Sequence, residues 1–143
     1  MGQAIVIYDS DCGFCRVSSA LLLTWDRLGA GRRRSASCAL RPLPLGTDEA
    51  DRLLAGMTEE RRHASWHLID PDGRRHSAGA ALAPALSLLP GGRIPAACVS
   101  RAPHLTERGY RWVAEHRGLL GRFLPARARR WADRAIAAHG GPQ

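Results

Sequence analysis

Two thiols three positions apart, Cys12 and Cys15, follow two aspartates, Asp9 and Asp11, in the stretch AIVIYDSDCGFC. Thiols at this spacing meet across one turn of a helix, so they can close a disulfide between themselves or open one in a partner. If the helix begins at the first of them, Cys12 lies where unpaired N–H groups and the positive end of the dipole stabilise a thiolate. Its pKa then falls from about 8.5 toward about 7 or below. Cys12 is the expected nucleophile. Cys15, one turn along and more buried, is the expected resolving thiol, which attacks a mixed disulfide and returns the pair to an intramolecular bond.

The neighbouring charged residues have expected roles of their own. Asp11, beside Cys12, is placed to cap the helix, although its charge opposes a thiolate. Asp9, at the end of the strand, is a candidate base for Cys15, with a loop anchor accepting backbone N–H groups as its other reading. Arg16 is either a cation that favours the thiolates or an exposed helical residue. His63 and His67 read as surface and strand residues. Asp9 and Asp11 also have the strand-then-DxD form of haloacid-dehalogenase-like phosphatases, but the chain has no Lys for a phosphoryl group and no late acidic pair for Mg²⁺. The thiols in a non-enzymatic module that binds a partner or a metal ion remain the alternative.

The bulk composition narrows the classes further. A chain of 143 residues suits one domain, 1–143, with enough length to bury a core without disulfide staples. No apolar run approaches the ~20 residues needed to cross a bilayer, and the N-terminus lacks a signal-peptide pattern, so the expected location is the cytoplasm. The net charge of +8 comes from 21 basic residues that are all Arg, in a chain rich in Ala and Gly and without Asn. That pattern reads as a GC-rich coding bias with a solvated Arg surface, and no nucleic-acid partner is expected. Cys38 and Cys98 stand alone among apolar neighbours and read as small buried hydrophobes, too isolated to complete a zinc site with the CxxC. The sequence calls for no cofactor and no metal. The expected partners are protein or small-molecule thiols and disulfides.

The elements that must position the thiols follow from periodicity. Residues 3–8 form an apolar, β-branched run that predicts a strand buried on both faces. From Gly13 to about Leu28 a helical stripe of Val17, Leu21 and Trp25 is flanked by Ala20, Leu23 and Leu28, with Gly29 as its stop. GAGRRRSA is a basic loop, and residues 37–43 predict a second strand closed by Pro42 and Pro44. Thr47 or Asp48 caps a short helix over 49–57 that turns Leu53, Leu54 and Met57 inward. DPDG joins strands near 65–70 and 74–77 into a hairpin. Residues 78–89 are helical with an interruption at Pro84, and PGG ends them. One or two helices then pack Trp112, Val113, Leu120 and Phe123 inward. A last one carries Ala128, Trp131, Ala132, Ala135 and Ile136 on one face and a basic opposite face, and it packs on its own domain rather than on a membrane or an acidic partner.

YDSDCGFC resembles the signature of the thiol-disulfide oxidoreductase DCC family, and HLIDPDGRRHSAGAALAPALSLLPG and YRWVAEHRGLLGRFL extend the similarity across most of residues 4–124. The resemblance implies an α/β, thioredoxin-like βαβαββα core over about 3–90 with a C-terminal helical extension over about 103–139. It also implies thiol–disulfide exchange at Cys12 and Cys15. One departure from thioredoxin proper is visible in RRHASWHL, where Ala64 or Ser65 stands at the position of the proline that faces the CxxC there.

Overall fold

The computed structural model describes residues 2–30 and 39–140. Four strands are formed, β1 (Ala4–Tyr8), β2 (Leu40–Pro44), β3 (His67–Ile69) and β4 (Arg75–Ser77), in the sheet order β2-β1-β3-β4. β1 runs parallel to β2, with Val6 opposite Pro42, and antiparallel to β3, with Val6 opposite Leu68. Because side chains alternate across a strand, β1 feeds two separate cores. Ala4, Val6 and Tyr8 join Ala20, Leu23, Leu89, Ala132 and Ile136 on one face, while Ile5 and Ile7 meet Leu43, Ala50, Leu54 and Ile69 on the other. The central strand is therefore buried on both sides, as its β-branched run requires.

Pro44 is the last residue of β2, as expected, but Pro42 lies inside the strand. β2 is an edge strand, and the N–H of Leu45 points inward to the carbonyl of Tyr8 at 2.9 Å. By alternation, the amides of positions 44, 42 and 40 point away from β1, where a proline removes no ladder bond. Leu40, which does have an outward N–H, donates it to Asp26 Oδ2 at 2.9 Å.

The first helix, α1 (Gly13–Ala30), buries Ser19, Ala20, Leu23 and Asp26. Leu21 and Leu28 of the expected stripe are exposed instead. They fall away from Ala20 and Leu23, on a flank that no element among the described residues covers. The helix also runs through Gly29 to Ala30. Glycine is needed there for space: a Cβ on Gly29 would lie 2.6 Å from the ring of Pro90, the residue whose carbonyl accepts the indole N–H of Trp25.

The expected helix over 49–57 forms as the shorter α2 (Asp48–Leu53), and a second helix that was not expected follows it, α3 (Glu59–Ala64). Thr47 caps the first through Ala50 N–H and Thr58 the second through Arg61 N–H, with Gly56 at φ +82° reversing the chain between them. Leu54 is fully buried, and Leu53 and Met57 pack beside it. The hairpin is as expected. Asp70 Oδ1 accepts the N–H groups of Asp72 and Arg74, and Oδ2 lies 2.9 Å from His76 Nε2, a contact that holds the Asp70 carboxyl below its usual pKa.

A 3-10 turn (Ala78–Ala81) leads into α4 (Leu82–Leu88). Pro84 causes no break because it stands in the first turn of α4, where N–H groups lack helical partners anyway. Then follow α5 (Arg93–Arg101), which the sequence pattern did not reveal, α6 (Pro103–Arg122) and α7 (Ala126–Ala138). α7 lays Ala132 and Ile136, with Trp131 and Ala135 beside them, into the core under α1. For α6 the expected packing is half reversed: Val113 and Leu120 are partly buried, but Trp112 and Phe123 are exposed, with Trp112 stacked on His116 instead of on the core. α6 turns a mixed polar and apolar face toward the domain, and its Trp112 faces outward.

Candidate active site

Cys12 is the last residue before α1. Its carbonyl accepts the N–H of Arg16 at 3.0 Å, and its sulfur accepts the N–H of Cys15 at 3.3 Å. The sulfur thus fills the place a Ser or Asp oxygen takes at an N-cap, which favours its charged form. The Cys15 thiol also donates to it. That bond is the main cause bringing the Cys12 pKa down to about 6, against the opposing effect of partial burial, with further help from the Cys15 amide and the positive charge of Arg117. The same bond, together with burial, pushes the Cys15 thiol far up. The pair therefore holds one proton between two sulfurs, with the charge on Cys12.

The surrounding loop is set by Asp9. Its Oδ1 accepts the N–H of Asp11 at 2.9 Å, and its Oδ2 lies 3.9 Å from Nδ1 of His63, at the end of α3. Asp9 hydrogen-bonds to neither cysteine, and its charge raises both thiol pKa values slightly. Asp11 is exposed and its carboxylate takes no hydrogen bond among the described residues, so the expected cap at this position is absent; the Cys12 sulfur occupies it. Arg16 turns away from the thiols to an ion pair with Asp133 of α7. His67 is fully buried, accepting from Ser77 Oγ–H at 2.7 Å and donating Nε2–H to the Arg62 carbonyl at 3.0 Å, a neutral strand residue whose pKa is lowered by burial.

A positive charge that acts on the dithiol comes from α6. Arg117 is the basic residue that acts on both sulfurs, and Gly121, one turn further, runs so close to α1 that a Cβ there would lie 3.6 Å from the Phe14 amide nitrogen. On the same face of α6, the hydroxyl of Tyr110 accepts the N–H of Trp66 at 3.1 Å, at the entry to β3. Burial raises the Tyr110 pKa to about 12. Positions 110, 114, 117 and 121 follow the i, i+4, i+7, i+11 pattern of one helix face. Sequence reasoning followed the apolar stripe of this helix, so it missed Tyr110 and Arg117.

The sequence model of the DCC1-like thiol-disulfide oxidoreductase family matches residues 6–123, from inside β1 to the end of α6. The chain belongs to this family. No curated protein and no solved structure matches it. Its βαβ unit, antiparallel hairpin and flanking helices make up a thioredoxin-like α/β fold, and the family match includes both the CxxC and the helix that carries Tyr110 and Arg117. Cys98 is exposed on α5, contrary to the expected buried position, because Ala96 is the residue of that helix that turns inward. Cys38 and most of the basic loop lie outside the described residues. Among the described residues no three His, Cys, Asp or Glu side chains gather as a metal site, and no helix is long and apolar enough to cross a membrane.

Proposed function

We propose that this DCC1-like protein is a thiol–disulfide oxidoreductase whose exchange reaction begins at Cys12. The observation that carries this reading is the Cys12 sulfur at the N-cap of α1, taking the N–H of Cys15 at 3.3 Å, a placement that lowers the Cys12 pKa while burial and the same pairing raise that of Cys15. In the reducing direction the Cys12 thiolate attacks a substrate sulfur, a Cys12–S–S–R bond forms, the substrate S–S bond breaks and one thiolate leaves. Once Cys12 is in the mixed disulfide its charge is gone, so the main cause holding the Cys15 proton disappears. Cys15 then gives that proton to the departed thiolate and attacks Cys12 Sγ, the Cys12–S–S–R bond breaks, and the second substrate thiolate leaves and takes its proton from solvent. The protein is oxidised by two electrons and the substrate disulfide is reduced to two thiols.

In this reading Asp9 sets the loop that presents Cys12, Arg117 supplies the positive charge, and Asp11 has no direct part. The partners are protein or small-molecule thiols and disulfides in a reducing compartment such as the cytoplasm.

The test is stoichiometric oxidation of the reduced protein by 2-hydroxyethyl disulfide, with the modified cysteines mapped by mass. Cys12→Ser should stop the reaction at this site, and Cys15→Ser should stop it at a stable mixed disulfide on Cys12. Preferential reaction at exposed Cys98, or two single variants that both still react at wild-type rate, would exclude the dithiol mechanism.

A further inference from the structure

A cleft of about 540 Å³ opens between α3, β4, the 3-10 turn and α6, the helix that also carries Arg117. Three exposed arginines line it, one from each of three elements: Arg61 of α3, Arg75 of β4 and Arg111 of α6. The Arg61 guanidinium has no hydrogen-bond or ion-pair partner among the described residues. Arg75 is steadied by a bond from Nη1 to the Ala55 carbonyl at 3.2 Å. The cleft holds one carboxylate, Glu107. Its Oε2 accepts the Gly79 N–H at 3.2 Å, and its Oε1 lies only within 3.9 Å of Arg111. Three guanidinium groups against one engaged carboxylate leave a site suited to anions, and guanidinium forks match carboxylates in particular.

α6 ties this cleft to the thiols. Tyr110, Arg111 and Ala114 line the cleft, and Arg117 follows two turns after Tyr110, acting on both sulfurs. Two turns of helix are about 10 Å, close to the span of three extended residues. Ser65 and Ala64 form the opposite wall of the cleft, directly before Trp66, whose N–H Tyr110 holds.

We propose that the cleft binds the carboxylates of a small anionic disulfide of di- to tripeptide size, with its S–S bond presented to Cys12. This inference rests on the exchange reaction above and adds its substrate class. The balance of the step is unchanged: the anionic disulfide accepts two electrons and two protons, leaves as two thiols, and Cys12 and Cys15 end joined.

The experiment has a binding arm and a kinetic arm. In the first, the Cys12→Ser/Cys15→Ser double variant, which cannot react at this pair, is titrated with S-methylglutathione and with its dimethyl ester while amide shifts are followed by NMR. The free acid should shift Arg61, Tyr110 and Arg111, and the ester should bind about tenfold more weakly or not at all. In the second arm, the reduced wild type is oxidised in single turnover by glutathione disulfide, neutral 2-hydroxyethyl disulfide and cationic cystamine, each rate divided by that disulfide's rate with a free thiol. Glutathione disulfide should lead the neutral compound by about tenfold at low salt, with cystamine slowest.

The double variant Arg61→Gln/Arg111→Gln should bring that lead down to about threefold or less, whereas Arg134→Gln, on the exposed side of α7, should leave it in place. If the neutral disulfide reacts at Cys12 but S-methylglutathione does not bind, or if Arg134→Gln erodes the lead as much as the cleft variant does, the cleft assignment is wrong and the dithiol reading stands. If no disulfide oxidises the pair, the dithiol reading fails first and the substrate assignment goes with it.

Discussion

The two ends of α1 solve the same backbone problem in opposite ways. At its start, the Cys12 sulfur takes the N–H of Cys15, partly open to solvent and facing Arg117 of α6. Near its end, the Asp26 carboxylate takes the N–H of Leu40, fully buried, with His139 Nε2 at 3.6 Å from the far end of α7. Both acceptors complete a backbone hydrogen bond across a junction. The open end leaves its acceptor reachable, and its charge becomes reactivity. The closed end buries its acceptor completely, and its contacts fasten β2 and α7 to α1. Burial has the consistent effect on its partner, since desolvation lowers the His139 pKa against the opposing pull of Asp26. The comparison teaches that access, more than the presence of a polar group at a helix end, separates a chemical site from a structural one.

The comparison fails if substitutions at the closed end act on reactivity or those at the open end act on stability. Asp26→Ala should have the largest effect on stability. It leaves the buried Leu40 N–H without its acceptor and empties a packed site, for a loss of about 2–4 kcal/mol by chemical denaturation. The rate with 2-hydroxyethyl disulfide, measured where the variant is still folded, should stay within about twofold of wild type. A large rate loss in folded Asp26→Ala would mean that the two ends of α1 are coupled.

Arg117→Gln should act in the reverse sense. Removing the cation raises the Cys12 pKa from about 6, so the thiolate forms only at higher pH. Attack by Cys12 rises with pH through its pKa and then levels, so the midpoint should move upward. The rate should fall severalfold near pH 6 and recover above about pH 8. A denaturation midpoint that changes little would locate the effect at the open end, while a rate loss that persisted at high pH would assign Arg117 to packing.

The smallest effect belongs to Asp9→Asn. Asparagine can still accept the Asp11 N–H, and the negative charge that raises both thiol pKa values is removed. The Cys12 midpoint should therefore shift slightly downward, with a stability change of about 1 kcal/mol or less. Stopped-flow rates for resolution by Cys15 decide the remaining role. A slowing confined to neutral pH would make Asp9 the base for Cys15, and unchanged resolution at every pH would confirm it as the loop anchor.

Much of the local structure was legible in the residues themselves. The β-branched run of β1, the helix start at Cys12, the DPDG hairpin, the Thr47 cap and the inward stripe of α7 all depend on periods and turn chemistry that a short window contains. Thr58 followed by Glu59 and Glu60 carries a start signal for α3 as well, although the expected helix ends at 57 and leaves that segment without an element. The roles that escaped detection depend on distant partners. Pro42 and Pro44 are tolerated because β2 is an edge strand, which no local pattern states. Arg16 is claimed by Asp133, 117 positions away, and the cation at the thiols is Arg117 instead.

The amino-acid order by itself determined that a dithiol would stand at a strand-to-helix junction, because strand period, cysteine spacing and helix onset are local properties. Only the tertiary structure decided which charges reach it and which face of α6 looks inward. The apolar stripe of α6 favours burial, yet Tyr110, Arg117 and Gly121 face the domain and Trp112 and Phe123 face outward. A helix docks by the fit of its whole face to the surface beneath it, and that surface is assembled from α1, β3 and the 3-10 turn.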